Sequence, residues 1–368
     1  MRNLFKASVL LRSLVLASLA IGTAHAQQRG QQAQPIQQNA SAQLEILPIR
    51  GNLYMLAGAG ANIALSVGPD GVLIVDTGTA QNSDRILAAV QQLQKQLATN
   101  GLASWNYAAE TRSNLPRMIS PPAPAKPIRY IINTSLDPDH TGGNETISRA
   151  GKTLTGGNVA GNIADAAEGA SIIAHENVLL RMSSPGGKQA APAFRALPTD
   201  TYHGESMKLS HFMNGEGVLI VHQPSAHTDG DSIIYFRGSD VIVAGDIFRM
   251  DSYPMIDIER GGNIQGVIDG LNHILDLSIP EFRTEGGTMV IPGHGRLTDS
   301  AEVAYYRDMV TIIRDRILDM IKKGMTLQQI KAAKPTKDYD PRYGSSTGPY
   351  TTDMFIEAAY QSLIQNKK

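Results

Sequence analysis

The chain has 368 residues, 42% hydrophobic and 18% charged, a globular balance long enough for one large or two small domains. The formal net charge of −1 excludes a strong basic field, so we expect no nucleic-acid partner. The absence of cysteine excludes disulfides, thiolate metal ligands and cysteine nucleophiles, so any metal ligand must come from His, Asp or Glu.

Residues 1–26 have the pattern of a secretory signal peptide. Arg2 and Lys6 precede an apolar run, and Ala24-His25-Ala26 is a small-x-small cleavage site. The apolar run is too short to span a bilayer, so we expect no stable membrane anchor after removal. Export without cysteine indicates a periplasmic or secreted bacterial protein. Residues 27–43 are rich in glutamine and are predicted to be a flexible tether.

The first predicted elements are four short strands with the turn residues of a β-meander, at residues 44–47, 53–56, 63–67 and 72–75. A helix follows, with one apolar face and an expected end near Gly101, formed by Ile86, Val90, Leu93 and Leu97. Residues 102–127 contain five prolines and indicate an inserted surface loop. A strand is predicted at 128–132.

The second half repeats this alternation. A strand at 171–174, a short helix at 176–182 and a loop at 183–200 come first. Further strands are predicted at residues 218–221, 232–236, 241–244 and 289–291, with a helix at 263–276 before the last of them. Two halves of strands followed by helices predict an α/β fold with the layer order helix, sheet, sheet, helix.

A long helix is predicted to begin near Asp299, with Glu302 completing a capping box. It has an apolar stripe at Val303, Tyr306, Val310, Ile313, Ile317 and Met320. The stripe predicts docking on a sheet, or alternatively a dimer interface, which leaves a homo-oligomer open. We therefore divide the chain into a main domain at 44–300 and a helical extension at 301–368, packed on that domain.

Four polar clusters stand at or just beyond predicted strand ends. They comprise residues 135–144, 225–231, 245–246 and 292–295. Loops that leave rigid strands are where binding and catalytic groups are usually placed. Each cluster contains glycine or proline, and together they supply three histidines and three aspartates, all of them metal-ligand types: Asp137, Asp139, His140, His227, Asp246 and His294.

The order of these clusters resembles the metallo-β-lactamase superfamily of zinc hydrolases over about residues 45–300. The matching motifs are the strand 72–75 ending in Asp-Thr-Gly, Asp139-His140-x-Gly-Gly-Asn, Ala226-His227-Thr228-x-Gly-Asp, Gly245-Asp246 and Pro292-Gly293-His294-Gly295. The resemblance implies an αββα sandwich with a zinc centre in a groove along one edge of the sheets.

The resemblance also implies a ligand set. Asp139, His140 and His294 correspond to one metal site, Asp246 to a carboxylate that bridges two metals, and His227 to the second site. The sequence departs from the family pattern His-x-His-x-Asp-His, because it reads Ser135-Leu136-Asp137-Pro138-Asp139-His140. One site therefore keeps its full set, while the other has only Asp137, His227 and the shared Asp246.

Two outcomes are open for the altered site. Asp137 can act as an oxygen ligand, which gives two metal ions in a less positive centre and shifts the preference from zinc toward Mn or Fe. Bound water would then have a higher pKa. Alternatively, the altered site is empty and one zinc ion is bound. Ser135 either hydrogen-bonds to Asp137 or to bound water, or is an ordinary loop hydroxyl.

We therefore expect an exported zinc-dependent hydrolase that uses a metal-bound hydroxide on an ester, thioester, lactone or amide of a small-molecule substrate. Asp139 is the expected catalytic residue, orienting the water or taking up its proton. Candidate substrate contacts are Ser135, Arg249, Tyr253 and Arg296. A β-lactamase is one alternative. The other is a binding protein that has kept the fold and weakened or lost catalysis.

Overall fold

The structure, a computed structural model, describes residues 43–99, 126–152, 169–184, 192–209, 212–278 and 286–365. The predicted signal peptide, nearly all of the predicted tether and most of the 102–127 insertion lie outside these ranges, as do residues 185–191 of the predicted loop. None of the helices in the described ranges combines the length and apolar character that a membrane span requires.

The first sheet, as far as the structure describes it, has seven strands in chain order. Neighbouring strands are antiparallel from β1 to β4 and parallel from β4 to β7. The strands are β1 (Glu45–Arg50), β2 (Leu53–Ala57), β3 (Ile63–Gly68), β4 (Gly71–Val75), β5 (Ile128–Ile132), β6 (Ser171–His175) and β7 (Asp200–Tyr202). The predicted meander and the strands at 128–132 and 171–174 are all present in it.

The second sheet contains six described strands, in the order β13-β12-β11-β10-β9-β8. Strands β11 and β12 are parallel, and the other neighbours are antiparallel. The strands are β8 (Ser206–Lys208), β9 (Val218–Gln223), β10 (Asp231–Phe236), β11 (Val241–Arg249), β12 (Met289–His294) and β13 (Thr298–Asp299). Strand β11 continues five residues beyond the predicted end at residue 244.

The helices lie between and after these strands, and short 3-10 turns complete the described elements. They are α1 (Ser83–Thr99), α2 (Pro138–Thr141), α3 (Asn144–Arg149), α4 (Glu176–Ser183), α5 (Ile264–Leu277), α6 (Ser300–Lys322), α7 (Leu327–Ala333), α8 (Asp340–Tyr343) and α9 (Thr352–Gln365). The predicted helices at 176–182 and 263–276 correspond to α4 and α5.

The layer order follows from the alternation of apolar side chains along the strands. In β4, Leu73 and Val75 face the core between the two sheets, while Val72 and Ile74 face the core beneath α1 and α3. In β10, Ile234 faces the inter-sheet core, whereas its neighbour Ile233 faces the helices that cover the second sheet. Successive strand residues point to opposite faces, so each sheet is buried on both sides. The predicted αββα sandwich is confirmed.

The apolar stripe of α6 is buried inside the chain. Helix α6 packs on α5 and α9, and the ring of Tyr306 meets Phe248 of β11 edge to face at 5.2 Å. The stripe residues through Ile317 are fully buried, so this stripe is not a free dimer interface. The predicted cap is half right. Asp299 accepts hydrogen bonds from the backbone of residues 301 and 302, but Glu302 pairs with arginines instead of returning a bond.

Parallel pairing brings the polar clusters to one edge of the sandwich. Strands β4 and β5 run side by side in the first sheet, and β11 and β12 do so in the second, so their carboxyl ends lie together. The residues that follow β5, the end of β11 and His294 at the end of β12 therefore converge. His227 joins them from the loop between β9 and β10.

Candidate metal centre

A short helix after β5 presents the first group of ligands. Proline at the first helical position favours a helix start, so α2 begins at Pro138 with Asp137 as its N-cap residue. The turn brings the side chains of Asp137, Asp139 and His140 to the same edge of the sheets. Ser135 is buried, and its hydroxyl accepts a hydrogen bond from the backbone N–H of Asp137 at 3.4 Å, so it bonds within the loop itself.

The imidazole of His140 is fixed by a carboxylate at the end of β4. Asp76 Oδ2 lies 2.7 Å from His140 Nδ1 and accepts a hydrogen bond from it, while Thr134 donates its backbone N–H and its hydroxyl to the same carboxylate. Asp76 has φ +63°, a conformation rare for non-glycine residues. This contact directs Nε2 of His140 toward His294 and Asp246, as carboxylates commonly orient metal-ligating histidines.

Four ligand atoms form the first site. Asp139, His140 and His294 have ligand atoms within 4.8 Å of one another. His294 Nε2 lies 3.0 Å from Asp139 Oδ2, and Asp246 Oδ1 lies 3.5 Å from His140 Nε2 and 3.6 Å from His294 Nε2. Tetrahedral bonds of about 2.0–2.2 Å place neighbouring ligand atoms roughly 3.3–3.6 Å apart, so this spacing fits a divalent ion such as zinc.

The second group contains Asp137, His227 and Asp246, also within 4.8 Å. His227 Nε2 lies 3.1 Å from Asp137 Oδ2. The other ring nitrogen of His227 lies 3.5 Å from Asp231, whose carboxylate also accepts two hydrogen bonds from Thr228. The two groups are those expected from the sequence. Both are brought together in space, and Asp246 lies between them.

Several buried polar atoms in this centre lack a hydrogen-bond partner among the described residues. Those of the first site are Nε2 of His140, Oδ1 of Asp246 and Nε2 of His294, and those of the second group are Oδ2 of Asp137 and Nδ1 of His227. Such atoms are costly to bury without a partner, since polar groups in protein interiors are normally satisfied. A cation within reach of their lone pairs would satisfy them. The residues of the first site therefore fit a metal ion.

Two glycines allow the strands to approach closely enough for this geometry. Gly245 has φ +53°, and the pairing of β11 with β12 shifts register on either side of it. A side chain at Gly293 would place its Cβ 2.2 Å from Oδ1 of Asp246. A Cβ at Gly245 would in turn lie 2.7 Å from the side chain of Thr134, so each of the two positions leaves room for glycine alone. Beyond this irregularity Arg249 still pairs with His294 of β12, so β11 continues past its predicted end.

Charged neighbours keep the carboxylates of the centre ionised. Burial alone would raise the pKa of Asp246, but Arg249 and the two neighbouring histidines hold it well below its ordinary value. Burial opposes the same shift in Asp137 and Asp139, yet His227 lowers the pKa of Asp137 and His294 that of Asp139. The anionic carboxylate is the form that binds a cation.

Two arginines contact the carboxylates of the second group directly. Arg249 Nη1 lies 3.0 Å from Asp246 Oδ2, and Arg260 Nη1 lies 3.0 Å from Asp137 Oδ1. Arg249 was expected to contact substrate, but its guanidinium is mostly buried and bonded to Asp246. Arg260 lies in a 3-10 turn at Ile258–Arg260 and was not expected at the centre.

The other two expected substrate contacts lie in different surroundings. Tyr253 is 2% exposed, its ring is stacked on Phe355 at 4.8 Å, and its hydroxyl donates to Thr336 and Asp340. These contacts give Tyr253 a structural place among the C-terminal helices, which corrects the expectation that it touches substrate. Arg296 is exposed and pairs with Glu302 at 2.9 Å.

The supporting residues Asp76, Asp231 and Arg260 were not assigned a role from the sequence. Asp76 and Asp231 both stand in motifs that the sequence displays, the first in Asp-Thr-Gly and the second four residues after His227. Only Asp231 gave a signal by its nearness to a histidine, since ligating histidines commonly have carboxylate partners. Asp76 lies 64 residues from His140, so its motif alone did not indicate that contact. Arg260 carried no such signal, because it approaches Asp137 from 123 positions further along the chain.

Residues 57–294 match the family model described as the metallo-beta-lactamase superfamily. The chain belongs to this superfamily, and the match spans every candidate ligand named above. A comparison with curated proteins finds no match. Membership and the ligand geometry together support a metal-dependent hydrolase.

Solved structures resemble the chain at low sequence identity. The inverting sec-alkylsulfatase Pisa1 from Pseudomonas sp. has 17% identity and a TM-score of 0.53, covering 86% of this chain and 50% of its own. The chain thus spans half the length of that enzyme. The DIM-1 metallo-beta-lactamase has 14% identity, a TM-score of 0.47 and coverage of 73% and 97%. At such identities the resemblance to Pisa1 extends to the fold alone.

Proposed function

We propose that the protein is an exported zinc-dependent hydrolase whose metal ion is held by Asp139, His140, Asp246 and His294. The observation that carries this proposal is the convergence of four ligand atoms from three separate parts of the chain, spaced 3.0–3.6 Å along the measured contacts. Export is proposed from the signal-like sequence at residues 1–26.

The metal ion and the side chains of the protein have different roles in the proposed reaction. When bound, a zinc ion supplies Lewis-acid activation of water and of the oxygen of a carbonyl or ester. Asp139 is the most accessible of the four ligand residues, with 32% of its side chain exposed. Its carboxylate is therefore placed to accept a proton at the mouth of the site. His140, fully buried and held by Asp76, serves to fix the geometry.

The substrate proposed is a small molecule with an ester, thioester, lactone or amide bond. A fold shared by many chemistries does not select among these classes, so the test must compare them. The panel also includes nitrocefin for β-lactamase activity and a secondary alkyl sulfate, the class of substrate in the name of Pisa1.

The test is turnover of this panel by zinc-loaded protein, with His294→Ala as the blank. We expect at least one class to be hydrolysed, with a loss of at least about a hundredfold in the variant, because a ligand of the activating ion is removed. Arg316→Met is the matched control, since Arg316 pairs with Asp338 outside the centre. Turnover that survives both zinc chelation and His294→Ala would contradict the proposal.

A second candidate function is a binding protein that has lost most of its catalysis. The observation that favours it is the replacement of two family histidines by Ser135 and Asp137. Restoring both with Ser135→His and Asp137→His separates the two readings. A large gain in hydrolysis would show that the native site is catalytically weak. Loss of an existing activity would show that the native ligands suit their own substrate.

A further inference from the structure

The second ligand group differs from the first in its electrostatic surroundings. Asp139 of the first group pairs with His294, whereas Asp137 of the second group pairs with both His227 and Arg260. The guanidinium of Arg260 takes Oδ1 of Asp137 at 3.0 Å, which leaves Oδ2 to face His227. A fixed cation therefore lies against one of the three groups that would hold a second metal ion.

The shared carboxylate is engaged in a similar way. Arg249 holds Oδ2 of Asp246 at 3.0 Å, and Oδ1 faces the two histidines of the first site. Asp246 thus has one oxygen bonded to a guanidinium and one directed at the first site. The second group retains His227 as its only ligand residue, among those described, that no arginine contacts in these pairings.

The charges around the second group determine whether a second metal ion or the guanidinium of Arg260 occupies it. Arginine is always protonated, so the contact from Nη1 of Arg260 places a permanent positive charge against Asp137, while Nε of the same guanidinium lies 3.5 Å from Asp257. A divalent ion placed beside Asp137 would lie close to that guanidinium in a mostly buried site, where like charges repel strongly. The first site carries two carboxylates for the two charges of one ion. Arg249 lies against the shared Asp246 in both groups, so the difference between them is Arg260, which contacts Asp137 and has no counterpart at Asp139 among the described pairings.

We propose that the guanidinium of Arg260 replaces the second metal ion of the centre, so that the chain binds one divalent ion, at Asp139, His140, Asp246 and His294. Arg260 is a positioning residue here, because it acts through Asp137 and contacts neither the ion nor the reacting atoms. The inference rests on the metal site of the proposed function but not on hydrolysis, so the two fail separately.

The experiment measures zinc per chain by elemental analysis after equilibration of the full chain with excess zinc sulfate and removal of unbound metal. We expect about one ion in the wild type, about one in Asp137→Asn and none retained in His294→Asn. In Arg260→Met we expect about two zinc ions per chain. By calorimetry, a second zinc ion should bind this variant at least about tenfold more tightly than any second ion binds the wild type. Arg260→Lys keeps a cation at this position and should restore about one ion.

The matched control is Arg316→Met, which removes an equally long cation from an Asp pair elsewhere and should leave about one ion. About two ions in the wild type, with one lost in Asp137→Asn, would overturn the inference, as would a second site that does not respond to Arg260→Met. No ion at all would remove the proposed function as well. One ion without turnover of any substrate would remove the proposed function alone and leave the role of Arg260 supported.

Discussion

Asp76 and His140, 64 residues apart in sequence, are joined by a contact of 2.7 Å between Oδ2 and Nδ1 in the buried floor of the centre. The carboxylate sets which ring nitrogen carries the proton and leaves Nε2 directed toward the ligands. Asp76 in turn is held by two hydrogen bonds from Thr134, at the end of the neighbouring strand. The parallel pairing of β4 and β5 thus fixes a ligand that lies eight residues beyond β5.

Asp76→Asn should lower zinc affinity by roughly 10–100-fold, because the side chain that contacts Nδ1 of His140 loses its negative charge. Affinity is measured by competition with a chromogenic chelator, and folding is checked by thermal unfolding. Asp299→Asn is the matched control, since Asp299 caps α6 and contacts none of the ligands, and asparagine also caps helices. Equal zinc affinities for Asp76→Asn and wild type would contradict the role given to Asp76.

Gly293→Ala should damage the centre without a ligand being changed. The added Cβ would lie 2.2 Å from Oδ1 of Asp246 and 2.8 Å from the backbone of Gly245, so the carboxylate must move. We expect zinc affinity to fall by at least about tenfold, as for other losses of ligand orientation. Gly204→Ala adds the same methyl group where no atom lies within 4 Å and should have no effect. A Gly293→Ala protein that binds zinc with wild-type affinity would show that the close approach of residue 293 to Asp246 is not required.

Tyr253→Phe tests the structural role assigned to this residue. The variant loses hydrogen bonds to the carbonyl of Thr336 and to Asp340, so the free energy of unfolding should fall by about 1–2 kcal/mol. The kcat and KM for any substrate should stay at wild-type values. Tyr305→Phe, at an exposed position, is the control for the chemical change. A raised KM with unchanged stability would restore Tyr253 as a substrate contact.

His175 predicts a pH dependence of stability. It is buried at the end of β6 and stacked on His222 with ring centres 3.5 Å apart. Burial, followed by the charge of His222, lowers the pKa of His175 from 6.5 to about 4, and Glu176 and Asp229 oppose the shift. The unfolded chain therefore takes up the proton more readily than the folded one. This contribution to stability is complete above about pH 6.5 and is lost as the pH falls toward 4.

The size of that loss is on the order of 2 kcal/mol, and it is read from chemical denaturation at several pH values. His175→Asn is the matched variant, because its side-chain oxygen can accept the bond from the backbone of Asn177 that Nδ1 of His175 accepts. The difference between wild type and variant isolates His175 from other groups that titrate in this range. A difference that is constant between pH 4 and 7 would contradict the assignment.

The layers of the fold could be predicted from the sequence because the pattern of apolar residues along a strand shows which of its faces are buried. Val72 and Leu73 face different cores, and both cores are apolar, which makes β4 an uninterrupted hydrophobic run. The stripe on α6 likewise predicted a buried face. What it could not show is that the face meets α5 and α9 as well as the sheet, since a stripe does not identify its partner.

The ligand residues were also predictable, because they belong to clusters at strand ends that contain glycine or proline, and the order of these clusters resembles a known family. Their supporting contacts were not. Arg260 reaches Asp137 only because the loop after β11 folds back over the centre, and Tyr253 follows Asp246 closely in sequence but packs against Phe355. Nearness in sequence predicts nearness in space within one element, and it fails across the loops that join elements.

The most direct test of the central claim is anomalous diffraction at the zinc absorption edge from crystals equilibrated with zinc sulfate. The structure predicts a peak at about 2.0–2.2 Å from one ligand atom of each of four residues: Asp139, His140, Asp246 and His294. A map with no peak among these four side chains, or with zinc bound only elsewhere on the chain, would contradict it.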